Sequence, residues 1–317
     1  MAAHTWAAAC GRARALLLAA VASAVAAPPL APAPAFQCGA LTVDASLSYA
    51  LASPATPSSP WLDAGDTAVH VSGAWYSASS GSLVELSRRA TNGTDARRGA
   101  WSALAVEWRA SDAAATPVTS SFRCYPATGV VSFSLTFPAG ASRIATSTCP
   151  PLAADVMYNA SRAPSARFPS FRADTGSPLE SLSFVEWLGD WAFEQNFVGA
   201  NVSAAFRGGQ ASGPLVLFDP ARGGAAAAAL VLSPAKNFRS TIIAPVSGAR
   251  GAELAAGPQG YLAALPAGWS MEVIAVASAA GVTDAVARWG DALQRAYATV
   301  RLPPERDVWT SRLTYFT

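Results

Sequence analysis

From Gln37 onward, apolar and polar positions alternate along the chain with period two. The clearest run is residues 130–137, Val-Val-Ser-Phe-Ser-Leu-Thr-Phe, which stops at Pro138-Ala139-Gly140. Residues 40–49 and 67–76 read the same way. In residues 101–108 the larger side chains Leu104, Val106 and Trp108 share one parity. Period-two alternation means one buried and one wet face, as in antiparallel sheets. In the second half the apolar runs become shorter and continuous. Gly213-Pro214 feeds Leu215-Val216-Leu217-Phe218, and residues 228–232, 241–244 and 271–277 follow. Turn signals at Gly223-Gly224, Ser247-Gly248 and Pro266-Ala267-Gly268 separate them. Many short strands with such punctuation predict a mainly β chain built as an antiparallel β-sandwich.

One stretch switches to helical period. Thr283 reads as an N-cap with Asp284 in the first turn. Val286, Trp289, Leu293, Ala296 and Tyr297 then form an apolar face, with Arg288, Asp291 and Arg295 off it. Val300 closes the helix ahead of Pro303-Pro304. Residues 307–317 return to an aromatic and β-branched strand pattern, with no turn residue or charged tail after it. A strand this apolar needs a covering element, so it either docks back into the preceding domain or begins a further one, and the second is the expectation adopted. The chain thus divides into a leader (1–27), a Pro/Ala-rich linker (28–36), a β-sandwich (37–281), a linking helix (282–300) and a strand stub (301–317).

The leader assignment rests on three features. Arg12 and Arg14 precede the apolar run Ala15-Leu16-Leu17-Leu18-Ala19-Ala20-Val21-Ala22. Ala24-Val25-Ala26 then supplies small residues for cleavage before Pro28-Pro29. The run is shorter than the ~20 residues a spanning helix needs, so a secreted protein with no membrane association after cleavage is expected. Three sequons, at Asn92, Asn159 and Asn201, agree with secretion and mark exposed positions if glycosylated. Lys+Arg number 22 and Asp+Glu 20, and removing Arg12 and Arg14 leaves the mature chain balanced. Nothing in that balance attracts nucleic acid. Cys38, Cys124 and Cys149 remain after cleavage. Cys124 and Cys149 flank one hairpin-like stretch and are the favoured disulfide, while Cys38–Cys124 and Cys38–Cys149 stay open.

Catalytic motifs are scarce. His70 is the single histidine past the leader and lies in an alternating strand, with no G-x-S-x-G elbow to accompany it. There is no H-E-x-x-H or C-x-x-C pair for a metal and no G-x-G-x-x-G or P-loop, so no cofactor is expected. Carboxylates remain. Glu186, Asp190 and Glu194 interleave with Trp187 and Trp191. Acids beside aromatic platforms suit sugars, whose hydroxyls meet carboxylates and whose apolar faces stack on rings. Glu186, Trp187, Asp190 and Trp191 are therefore the candidate carbohydrate contacts. On a helix the three acids would share a face, but Gly189 interrupts and a strand–turn form fits equally. A solvated acidic edge over a Trp-rich core is the plainer alternative. The other tryptophans, Trp61, Trp75, Trp101, Trp108, Trp269, Trp289 and Trp309, read as packing.

The second half carries a run of short motifs: Phe168-Pro169-Ser170-Phe171, Gly213-Pro214-Leu215-Val216-Leu217-Phe218-Asp219, residues 232–238, Gly257-Pro258-Gln259-Gly260, Leu265-Pro266-Ala267-Gly268-Trp269 and Trp289-Gly290. Over residues 125–317 this resembles the region before the catalytic barrel in secreted glycoside-hydrolase-like proteins distantly similar to the alpha-galactosidase and raffinose-synthase family. The resemblance implies a supersandwich-like β domain, a linking helix, and residues 313–317 as the first strand of a TIM-type barrel. The family's catalytic carboxylates lie on that barrel, so no position here corresponds to them. The reading that follows is an accessory domain of a secreted glycoside hydrolase, inactive alone. Its rival is a self-contained carbohydrate-binding or adhesion module.

Overall fold

The computed structural model describes residues 36–146, 163–188, 195–200, 202, 214–220, 227–248 and 251–300. The chain opens with β1 (Phe36–Cys38), β2 (Leu41–Val43), β3 (Tyr49–Ala52) and β4 (Pro60–Asp63), then a hairpin of β5 (Ala68–Val71) and β6 (Ala74–Ser77). Four long strands follow: β7 (Leu83–Asp95), β8 (Gly99–Ala110), β9 (Pro117–Tyr125) and β10 (Val130–Phe137). Short strands β11 (Ala141–Ser142), β12 (Ala166–Arg167) and β13 (Ser170–Arg172) lead to β14 (Ser183–Leu188), β15 (Gln195–Ala200) and β16 (Leu215–Phe218). The rest are β17 (Ala229–Lys236), β18 (Thr241–Gly248), β19 (Gly251–Pro258), β20 (Ala264–Leu265), β21 (Trp269–Ser278) and the helix α1 (Val282–Tyr297).

A nine-stranded sheet in the order β15-β14-β16-β17-β21-β10-β9-β8-β7 forms the middle layer, and its paired strands are antiparallel. Its inner face carries cross-strand rows such as Val273–Phe133–Phe122–Leu104. These pack on Leu41, Leu51, Val69, Phe171 and Leu254 from the smaller sheets β1-β2-β3-β4, β12-β5-β6 and β13-β19-β18. The outer face carries Val216, Val231, Ile274 and Val276, which α1 covers with Val282, Val286, Trp289 and Leu293. The expected antiparallel sandwich is thus present, with the helix as a third layer. The third layer explains the continuous apolar runs. Residues 229–235 and 271–276 are buried on both faces, so neither strand has a wet side to alternate with.

An aromatic cluster joins the two sheet layers. Tyr49 meets Phe122 edge-on at 5.0 Å between ring centroids and Phe171 at 5.8 Å. Phe122 meets Phe168 at 5.2 Å. The Tyr49 hydroxyl donates to the Ser170 carbonyl at 2.8 Å and accepts the Ser170 N–H at 2.7 Å. Burial drives the Tyr49 pKa far above the usual phenol value, so this hydroxyl is a permanent donor. The Phe168-Pro169 peptide is cis.

The alternation misleads at two places. Residues 40–49 are not one strand. The Asp44 carboxylate accepts the Ser46 N–H at 2.7 Å and the Ser48 N–H at 3.0 Å, and Leu47 takes a left-handed φ of 64°. This Asx-type turn splits the run into β2 and β3. Residues 67–76 are a hairpin whose turn, Ser72-Gly73, has φ of 54° and 85°, as a type I′ connection requires. The helix also starts earlier than expected. Gly281 with φ 112° precedes Val282, and Thr283 lies inside the first turn with no capping role. The Ser278 hydroxyl instead reaches Asp284 at 2.5 Å. At the other end Ala298 is left-handed, the Thr299 N–H bonds to the Gln294 carbonyl, and the helix closes at Tyr297 rather than Val300.

The favoured disulfide is corrected. Cys124 is bonded to Cys38, with Cα atoms 6.1 Å apart, and Cys149 lies outside the described residues. Cys124 is on the inner face of β9, where the sheet containing β1 packs, so Cys38 meets it across the layer. Local spacing holds no trace of that layer contact. Closing a loop of 86 residues restricts the unfolded chain, so Cys38→Ser with Cys124→Ser lowers unfolding free energy by about 2–5 kcal/mol in urea titrations. Non-reducing peptide maps should show a Cys38–Cys124 linked peptide; a Cys124–Cys149 peptide contradicts the pairing.

Candidate functional site

Of the sugar cluster expected from sequence, Glu186 and Trp187 fall on a strand and not a helix. Glu186 and Trp187 are in β14, opposite Phe197 and Asn196 of β15. Asp190, Trp191 and Glu194 lie in the connection, outside the described residues. Glu186 is 1% exposed, on the parity of the core residue Phe184, so it forms no solvated acidic edge. Asn159 and Asn201 also lie outside the described residues, whereas Asn92 is exposed on β7. His70 is a structural residue: its Nδ1 is 3.0 Å from the Ile144 carbonyl and its ring meets Trp75 edge-on. Trp75 departs from the packing expectation. It is 39% exposed, with the Arg167 guanidinium 4.6 Å from its ring centroid.

The described residues do form a cleft that the sequence reading passed over. It lies between α1 and the outer face of the nine-stranded sheet, with a volume of about 210 Å³. Tyr125, Val130 and Ile274 make its floor, Arg98 and Thr128 one rim, and Asp291, Leu293 and Arg295 of α1 the opposite wall. Two tight turns place the rim. Asp95 accepts the Arg97 and Arg98 amides at 2.8 and 3.0 Å, which turns β7 into β8, and Gly129 with φ 71° turns β9 into β10.

Arg98 is the structural centre of this cleft. Its Nη1 lies 2.5 Å from Oε1 of Glu272 and its Nη2 3.1 Å from Oε2, a bidentate pair. The Ser132 hydroxyl donates to the same carboxylate at 2.5 Å. The Arg98 guanidinium also lies 5.7 Å from the Tyr125 ring centroid. Burial opposes its charge, but the Glu272 carboxylate outweighs burial and holds the Arg98 pKa above its usual value. Arg97 donates to the Ala296 carbonyl and the Tyr297 hydroxyl to the Ala235 carbonyl, which fastens the helix end to the sheet. Arg288 is paired with Asp284 at 2.6 Å. Asp291 and Arg295 are exposed and line the cleft.

A carboxylate and a guanidinium over a partly apolar floor can take vicinal hydroxyls by paired hydrogen bonds and a ring face by contact. The volume is below the ~300–1,000 Å³ of drug-sized pockets, so the cleft suits one small ring rather than a chain. Among the described residues, three other buried carboxylates are committed elsewhere. Asp66 accepts from the Ser79 amide and hydroxyl at 3.1 and 2.5 Å. Asp112 accepts from Ser72 and Thr116 at 2.6 and 2.7 Å. Glu253 accepts from the Asp66 amide at 3.2 Å and the Ser170 hydroxyl at 2.6 Å. A side chain at Gly248 would come within 2.2 Å of the Glu253 carboxylate. Among the described residues no group of three or more His, Cys, Asp or Glu could hold a metal ion.

The cleft was partly visible in sequence. Arg288, Asp291 and Arg295 mark the polar side of α1, but nothing local says that Arg98 and Tyr125 come to meet them.

No protein-family model and no curated protein matches the chain. Solved alpha-galactosidases are distantly and partially similar to it. The alpha-galactosidase from Lactobacillus brevis is 12% identical with a TM-score of 0.46, over 73% of this chain and 31% of that one. The GH36 alpha-galactosidase AgaA from Geobacillus stearothermophilus, in complex with stachyose, is 12% identical with a TM-score of 0.45, over 71% and 32% of the two chains. A second variant of that enzyme, in complex with raffinose, gives 12% and 0.39, over 68% and 30%. The chain therefore spans about a third of the length of these enzymes.

Two outcomes follow from the buried charges. Arg98→Ala leaves Glu272 with Ser132 alone and should cost about 3 kcal/mol, the low end for a broken buried pair because both side chains keep some solvent contact. Arg98→Met with Glu272→Leu should cost less than the two single changes together, as urea titration of all three variants will show. Burial raises the Glu253 pKa above the ordinary carboxylate value. The folded state then holds that proton more tightly than the unfolded chain. The stability it contributes is full below the unfolded pKa and is lost as pH rises through the folded one. The Tm of Glu253→Gln should therefore rise relative to the parent protein as pH is taken from about 4 to about 8.

Proposed function

We propose that this chain is the β-sandwich part of a secreted glycoside hydrolase of the alpha-galactosidase type, supporting catalysis that it does not itself perform. The observation that carries the reading is the order of elements: a long antiparallel sandwich, then one helix docked on the outer sheet face. That is the arrangement implied by the resemblance in residues 125–317.

The resembling motifs occupy junctions of the fold. Phe168-Pro169-Ser170-Phe171 holds the cis peptide and the Tyr49 hydroxyl partner. At Gly257 an added Cβ would come within 2.1 Å of the Ala166 carbonyl, and at Gly260 within 2.3 Å of the Ala163 carbonyl. Gly268 turns into β21 with φ 75°. These residues specify a backbone path, which supports a shared architecture and not a shared reaction centre.

Glycoside cleavage needs two carboxylates flanking one bond, roughly 5–10 Å apart. Asp291 is the one carboxylate among the residues lining the cleft, and Glu272 beside it is spent on Arg98 and Ser132. The cleft therefore suits holding a sugar rather than cutting one. That geometry favours a second reading, a carbohydrate-binding module that works by itself.

Incubation of the purified chain with aryl α-galactosides should give no release of the aryl group; turnover overturns the proposal. Galactose and galacto-oligosaccharides titrated into the stable chain decide between the two readings. Monomer binding abolished by Asp291→Ala and by Arg295→Ala supports the module, and no binding supports the accessory domain.

A further inference from the structure

Among the described residues the nine-stranded sheet ends in β7 and β15, its edge strands. An edge strand presents unpaired N–H and C=O groups on which another copy of the chain can add a strand. On β7, thirteen residues long, the two halves are protected differently. The first half has a bulge at Leu86, between Glu85 and Ser87, and charges at Glu85, Arg88 and Arg89. Bulges and charges are the ordinary means of blunting an edge. The second half, residues 90–94, has neither: Ala90-Thr91-Asn92-Gly93-Thr94 runs in regular register against β8. Its single unusual feature is the sequon.

The local geometry suits attachment there. Asn92 and Thr94 are both exposed and on one parity of the strand. Their cross-strand neighbours are Ser102 and Ala100, which leave room. The bulk lies on the opposite parity, where the Trp101 ring packs over Gly93 so closely that an added Cβ would meet it at 2.5 Å. The other edge strand, β15, holds Val198 at 65% exposure and no charged residue. The sequon asparagine Asn201 follows directly in sequence after its last residue, Ala200.

We propose that Asn92 carries an N-linked glycan that closes the unprotected half of β7 against strand addition by a second copy of this chain. This rests on the secretory reading, because the modification requires entry to the lumen. The test keeps the two separable by producing the full chain behind a leader supplied by a eukaryotic secretory host, so that lumenal entry does not depend on residues 1–27. Peptide mass mapping with and without glycosidase should find Asn92 occupied. Sedimentation should then show the glycoprotein as a monomer. Asn92→Gln and Thr94→Ala, each lacking the sequon, should shift to dimer and larger species with slowed amide exchange in residues 90–94. Asn92→Lys, which places a charge on the edge in place of the glycan, should return the monomer. An unmodified Asn92 overturns the proposal. So does a monomeric Asn92→Gln at the same concentration, association with exchange slowed elsewhere, or association of Asn92→Lys as well, which would trace the effect to misfolding.

Discussion

Burial of the central strands on both faces is the constraint from which the other features follow. β17 and β21 have the small sheets against one side and α1 against the other. A strand with no wet face must satisfy its backbone within the sheet, so both sit mid-sheet with a partner on each side. A charged residue there must be neutralised where it stands. Glu272 is that residue, and Arg98 reaches over from the β7–β8 turn to hold it with two hydrogen bonds. The cleft under α1 is the opening this pair leaves between helix and sheet, which is why its rim is charged although its floor is apolar.

The inner layer is held by a different device. Four small strands with short ladders have little hydrogen bonding of their own, and a meander of that size is weak alone. Tyr49 supplies the anchor. Its ring enters the cluster of Phe122, Phe133, Phe168 and Phe171, and its hydroxyl both donates to and accepts from the Ser170 peptide. Side-chain packing and backbone pairing thus converge on one residue, which ties β3 to β13, more than a hundred positions further on. The Cys38–Cys124 bond fastens the same sheet to β9.

Legibility in the sequence followed the range of the interaction that decides each feature. Alternation in β10 and the Leu104–Val106–Trp108 face of β8 depend on one strand having one wet side, and both were readable. The apolar stripe of α1 was readable for the same reason. The turn at Asp44–Ser48 was hidden because Leu47 takes a left-handed φ without being glycine and the polarity rhythm continues across it. The disulfide was misplaced because a hairpin-like spacing is local and the contact between β1 and β9 is not. The cleft was seen from one side only: Asp291 and Arg295 advertise a polar helix face, while Arg98 and Tyr125 reach it through the turn geometry of two distant hairpins. The tryptophan neighbours of Glu186 suggest a carbohydrate contact and its charge a solvated edge, yet the register of β14 turns it inward with Phe184.

The residues that carry the family resemblance and those that carry chemistry are different sets. Gly257, Gly260, Gly268 and the Phe168–Phe171 segment are where the backbone must pass close to itself or turn sharply, and a side chain added at Gly257 or Gly260 would collide with main chain at 2.1 and 2.3 Å. Selection for a fold acts on such positions whatever reaction the molecule serves. Arg98, Asp291 and Arg295 stand outside those motifs, in a turn and on a helix face where substitution leaves the path of the chain intact. A fold can therefore be shared while its cleft is reassigned. The resemblance accordingly bears on how the sandwich is built, and the chemistry of the cleft has to be read from the cleft itself: one exposed carboxylate, two exposed guanidiniums of which Arg288 is already paired with Asp284, and the committed Arg98–Glu272 pair.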